Sequence, residues 1–187
     1  MIPPNVKKMP KNIISNKELI QEALDLGCTK AKVVLTQTIS IANWVKLHCQ
    51  FGCSQYAKLL TCPPCTPDSE EMAEILNEYE KALLINANLG ANVQEIVVSL
   101  ENSFKKKGYH KAFALGAKPC DLCSPCTVST SCQYPEKARP TLQACGIDVQ
   151  STINKNGWTD LSNQKPCSDS HTIGTVSYTH LTLPTKA

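Results

Sequence analysis

A chain of 187 residues with 19 Lys+Arg against 16 Asp+Glu carries a net charge of +3, too weakly basic to argue for nucleic acid or an anionic membrane surface as a partner. With 42 % hydrophobic and 19 % charged residues it can bury one domain-sized core without a staple, and it does not have the composition of a disordered chain. No apolar run approaches the roughly 18–20 residues of a membrane helix, and no apolar stretch follows the basic start, so no secretory signal is read.

The first fourteen residues, rich in Pro and Lys, read as a flexible segment ahead of a single cysteine-rich domain over 15–176. Ser15 with Glu18 three residues later forms a capping box, and Leu19, Ile20, Ala23 and Leu24 follow at helical spacing until Gly27. Residues 31–36 are short and β-branched, a strand; residues 39–47 read as a second strand running into the first cysteine group. Asp68 caps a helix whose Met72, Ile75, Leu76 and Tyr79 share one face. Residues 81–87 read as a buried strand. The clearest helix spans 92–107, with Val93, Ile96, Val97, Leu100 and Phe104 as its apolar stripe and Gly108 as its C-cap. A strand over 111–116 leads into the second cysteine group, and a short helix over 149–156 follows Asp148.

Strand, helix and strand across 81–116 predict a βαβ unit and hence a parallel pair. The fold class expected is α/β: a small sheet of about four strands, partly parallel, with helices against it and two cysteine-rich metal-binding loops. If the strands at 39–47 and 111–116 are parallel, both cysteine groups leave one edge of the sheet. Residues 177–187 resemble translated sequencing-adaptor read-through and are set aside as a non-native or disordered tail.

Eleven cysteines, an odd number, in a chain with no export signal point to metal or redox chemistry rather than disulfides. Cys120-x2-Cys123-x2-Cys126 is the spacing that wraps a loop around one corner of a [4Fe–4S] cube, each thiolate on a different iron. Cys132 would be the fourth ligand, although its interval of five residues departs from the usual three. Structural zinc is the alternative, but it favours paired C-x2-C knuckles roughly 12–20 residues apart. Here Cys62-x2-Cys65 and Cys120-x2-Cys123 lie far apart and Cys126 would be surplus.

The first group, Cys49, Cys53 and Cys62 with Cys65 as fourth member, could close a second metal site. Gly52 permits a tight turn, and Pro63-Pro64 is expected to hold the chain extended after Cys62. Were only three of these cysteines to bind a cluster, one iron would be open to a substrate, so Cys65 separates an electron carrier from an enzyme. His48 is a ligand or proton carrier at most, and more often such a histidine is neither. Cys28, Cys145 and Cys167 stand alone, and buried cysteine as a small hydrophobe accounts for Cys28 and Cys145. The lysines at 105–107 are explained by a solvated helix end.

The run Cys49-Gln-Phe-Gly-Cys53, then Tyr56, then Thr61-Cys62-Pro63-Pro64 resembles a family of predicted metal-binding proteins, domain of unknown function 2284. So do GYHKAFALGAKPCDLC, the run from Cys132 to Pro140, and Ala144-Cys145-Gly146-Ile147-Asp148-Val149. The resemblance implies a prokaryotic, cytosolic, cysteine-ligated protein with iron–sulfur clusters, and no particular reaction. The chain departs from the family at Ala57, where glycine is usual, and at Leu60, where an aromatic is usual. The function expected is electron transfer to a partner enzyme, with no nucleic acid and no membrane involved. A zinc-stabilised interaction module and an enzyme with an open three-cysteine cluster are the alternatives.

Overall fold

A computed structural model describes residues 14–161 and 172–179. Cys167 and most of the two terminal segments set aside above lie outside those residues. In chain order the elements are α1 (Asn16–Asp25), β1 (Cys28–Leu35), α2 (Trp44–Gly52), α3 (Ser69–Asn77), β2 (Lys81–Ala87), α4 (Val93–Lys106), β3 (Phe113–Leu115), α5 (Val149–Lys155) and β4 (Ile173–Tyr178). The capping boxes form as the sequence predicts. Glu18 Oε2 accepts from the Ser15 N–H at 2.7 Å, and the Asp68 carboxylate takes the Glu70 and Glu71 N–H groups at 3.0 Å.

The strand expected over 39–47 does not form; helix α2 begins at Trp44. Ile39, Ile41, Val45 and Leu47 fall on alternate positions and mimic a strand. Ile41 makes only an isolated bridge to Ile147, and from Trp44 onward the buried residues are Val45 and Cys49, four apart.

The sheet has the order β1-β2-β4-β3, and every pairing in it is antiparallel. The parallel pair expected from 81–116 is therefore corrected. Strand β4, from much later in the chain, inserts between β2 and β3 and pairs with each, placing Ile85 opposite Gly174 and Ala114 opposite Val176. Helix α4 lies so close over β4 that a Cβ on Gly174 would come within 2.7 Å of Val97 Cγ1. Ser177 and Tyr178, in the segment set aside from 177 onward, belong to β4; Tyr178 is buried, its ring edge-on to Phe104 and Tyr109 at 5.1 Å.

Both faces of the sheet are covered, as the near-continuous burial of β2 requires. Leu83 and Ile85 face α1 and α4, against Leu19, Ala23, Val97, Leu100 and Phe104. Ala82 and Leu84 face the other way, toward Met72 and Leu76 of α3, Leu142, Cys145 and Ile147, and Ile153 of α5. No helix among the described residues is long and apolar enough to cross a membrane.

Between β3 and α5 the chain makes a long excursion with little regular structure, and its neck is fastened from several sides. The Gly116 N–H donates to Pro140 O at 2.8 Å, and the Leu142 N–H to Gly116 O at 3.2 Å. Below it, Glu101 of α4 is fully buried and receives Arg139 in a fork: Nε to Oε2 and Nη2 to Oε1, both 2.7 Å. Glu101 also accepts the Ala114 N–H at 2.8 Å and pairs with Lys105. Arg139 Nη1 donates to the Pro135 and Ala138 carbonyls, and its guanidinium stacks on Phe113 at 5.1 Å.

Burial pushes the Glu101 carboxyl up, but the hydrogen bonds from Arg139 and Lys105, the Arg139 charge and the Ala114 N–H outweigh it and leave it below the ordinary glutamate range. The stability this supplies is complete above the unfolded value of about 4.3 and is lost as pH falls through the lowered folded value. Glu101→Gln, which strands the buried Arg139, should cost about 3 kcal/mol in urea unfolding at neutral pH and flatten the acid limb of the stability profile. A loss below about 1 kcal/mol would show that the fork does not hold the neck.

Candidate metal centre

The excursion carries the second cysteine group. Cys120, Cys123, Cys126 and Cys132 are all partly buried, and two of their sulfurs accept backbone N–H groups. Leu60 donates to Cys126 at 3.5 Å and Tyr134 to Cys132 at 3.4 Å. Burial first, then Cys132, Asp121 and Cys126, push the Cys120 thiol up, with the Leu122 N–H partly offsetting them. Cys123 is raised by desolvation and by Cys126, Cys120 and Cys132.

The first group is built on α2. Its buried face points Cys49 inward, and Cys53 follows one turn later as the C-cap, its N–H on Cys49 O at 3.3 Å. Cys62 is buried at the far end of the connecting loop. Instead of running extended through Pro63-Pro64, the chain closes a turn there, with a cis bond between the prolines and the Cys65 N–H on Cys62 O at 3.0 Å. That turn leaves Cys65 exposed, lining a shallow depression with Glu71, Glu74 and Glu78 of the α3 side. Burial and then Cys53 raise the Cys49 thiol, and Cys49 Sγ lies 4.0 Å from Gln143 O.

The two groups meet, although not by the expected shared sheet edge, because 39–47 supplies no strand. The contact is the Leu60 N–H on Cys126 Sγ, which ties the 53–62 loop to the 120–132 loop. Cys28 is buried against α1 and α4, as core-filling cysteine should be. Cys145 is also buried, in the apolar layer with Leu84, Leu142 and Ile147, as the reading of it as a small hydrophobe expects. Burial pushes its thiol up, and Cys49 and Cys62 push it further, to about 12; two residues before it, Gln143 O lies against Cys49 Sγ of the first group. Only the run Ala144–Val149 shared with the family could have drawn attention to it. His48 and Trp44, rings 6.4 Å apart, line a cavity of about 210 Å³ with Cys49, Cys53, Gln143 and Asp148.

The donor set of both groups is sulfur alone, which fits a thiophilic metal such as zinc or iron in an iron–sulfur cluster. Thr61 Oγ1, one residue before Cys62, is buried with no hydrogen-bond partner, leaving an O–H to donate to a bound group. Among the described residues no three His, Cys, Asp or Glu side chains stand closely enough to hold one metal ion.

The model of the family described as predicted metal-binding protein matches residues 32–178. No curated protein and no solved structure matches the chain.

Ala57, between Cys53 and Cys62, has φ of 58°, the left-handed region that glycine occupies freely, and its N–H reaches Pro63 O at 2.8 Å. A Cβ there costs roughly 1–2 kcal/mol, part of which glycine's greater unfolded freedom returns. Ala57→Gly should therefore raise the urea midpoint by the equivalent of about 1 kcal/mol; an unchanged or lower midpoint would show the turn to be unstrained.

Proposed function

Because the chain belongs to the family of predicted metal-binding proteins, domain of unknown function 2284, we propose that it carries iron–sulfur clusters and passes electrons to a partner enzyme. One cluster is assigned to Cys120, Cys123, Cys126 and Cys132, and a second to the first group through Cys49, Cys53 and Cys62. The observation that carries this reading is the pair of backbone N–H groups aimed at two sulfurs of one loop, from Leu60 and Tyr134. Donors of that kind stabilise anionic thiolates and are the protein's principal lever on a cluster's potential.

The spacing in sequence also favours a cluster: Cys120, Cys123 and Cys126 set three thiolates within seven residues, as a cube that takes each thiolate on a different iron needs. Bound there, a cluster supplies one-electron transfer; the chain's own residues bind it, donate to its sulfurs and restrict water. Trp44, Leu47 and Phe51 lie at i, i+3 and i+7 of α2, exposed on the helix that carries Cys49, an apolar stripe suited to a docked protein partner. The cavity at Cys49 and Cys53 favours a second reading, an enzyme whose cluster keeps one iron open to a small substrate.

The test is anaerobic purification with iron, sulfide and zinc analysis beside an absorption spectrum. Iron and sulfide in near-equal amounts, with absorption near ~400 nm that Cys123→Ser greatly reduces, are the expected result. Near-stoichiometric zinc with no such absorption would replace the proposal with a zinc-stabilised module. An optical change on adding a small substrate would favour the enzyme.

A further inference from the structure

Cys145 ends a single 3-10 turn, Gln143–Cys145, that is clasped between the two halves of the first cysteine group. On one side Cys49 Sγ of α2 lies 4.0 Å from Gln143 O. On the other, Thr66 Oγ1, just past the Cys62–Cys65 turn, donates to Ala144 O at 2.5 Å. Immediately after Cys145 the chain turns at Gly146, in the left-handed region at φ 74°, where a Cβ would strike Ser69 Oγ at 2.6 Å. The Gly146 carbonyl accepts the Ala42 N–H at 3.0 Å, and the Ile147 N–H returns to Leu142 O at 3.1 Å. The turn is thereby fixed against the segment leading into α2, against the start of α3 and against itself.

We propose that Cys145 is the fourth thiolate of the first centre, completing it with Cys49, Cys53 and Cys62, and that Cys65 stands outside it. This rests on the reading that a thiolate-held metal centre occupies that group. The residues just before Cys145 touch both halves of the group, Gln143 O against Cys49 Sγ and Ala144 O against Thr66 Oγ1. Cys28 is the control for a cysteine that merely fills space, packed in the layer between the sheet and α1 and α4. Cys145, Cys49 and Cys62 are 1 %, 7 % and 4 % exposed, the burial of a closed centre, whereas Cys65 faces solvent beside three glutamates.

The consequence is functional. With Cys145 in place every iron of a four-iron cluster at this centre has a protein ligand, so the centre works as an electron carrier and the neighbouring cavity is not an open coordination site. Four thiolates must release their protons on loading, and the bound metal supplies the charge that makes this favourable at a buried position.

The experiment compares the full chain with Cys145→Ala, Cys65→Ala and Cys28→Ala, each loaded anaerobically with iron and sulfide and measured for metal per chain. Unmutated protein that takes up no metal at all would overturn the underlying reading and this proposal with it. If the parent loads, Cys145→Ala should lose about half of the bound metal while Cys65→Ala and Cys28→Ala keep theirs, far-ultraviolet circular dichroism staying constant. A full complement in Cys145→Ala, or the same loss in Cys65→Ala alone, would overturn the assignment and leave the metal reading standing. Should Cys145→Ala fail to fold, unmutated protein stripped with a chelator is treated with diamide, which takes two hydrogens from a thiol pair, and its disulfides are mapped. A Cys145 bond to Cys49 or Cys62 supports the proposal. A free Cys145 beside a Cys62–Cys65 disulfide contradicts it.

Discussion

The buried fork between Glu101 and Arg139 is what allows an irregular stretch of chain to present thiols in fixed positions. Residues 117–138 have almost no ladder hydrogen bonds of their own, so their geometry has to be inherited from the neck. Glu101 supplies that neck from the middle of α4, the longest helix among the described residues, on the face that buries Val93, Val97, Leu100 and Phe104. Its two oxygens meet Arg139 at the return of the excursion and Ala114 at its departure, so one carboxylate registers both ends. A charge pair at full burial contributes little net stability against an apolar substitute, and its value here lies in positioning. Removing one partner is a different matter, because it leaves the other charge stranded.

The two thiol groups are supported in different ways. The second hangs from the neck and is partly buried, its sulfurs satisfied by N–H groups of its own loop and of Leu60. The first is built into the core itself: α2 turns Cys49 inward, and the turn holding Cys145 belongs to the same apolar layer as Met72, Leu84 and Ile153. Leu60 joins them, lying two residues before Cys62 and donating to Cys126. The two groups are thereby linked by a short covalent and hydrogen-bonded route.

Much of this was legible from residue types. Caps at Ser15 and Asp68, the stripe of α4 and the Cys120–Cys126 spacing all rest on local patterns that the fold has no reason to override. The misreadings share one cause, which is that the deciding partner is distant in sequence. Residues 44–47 look like a strand by alternation, but burial of Val45 and Cys49 against 143–149 selects a helix. The expected parallel pair is undone by β4, which no pattern within 81–116 can announce. Spacing pairs Cys65 with Cys62; a turn through two prolines leaves Cys65 exposed, while Cys145, far along the chain, is buried in the core. Ala57 shows the reverse case: the glycine that the resemblance leads one to expect there implies a left-handed turn, which the backbone adopts.

The most direct measurement of the central claim is X-ray absorption at the iron and zinc edges of protein isolated without oxygen. The account predicts iron in a sulfur shell with a second shell of iron neighbours, the signature of a polynuclear cluster held by thiolates. Zinc alone in a shell of four sulfurs near ~2.3 Å, with no metal neighbour, would contradict it.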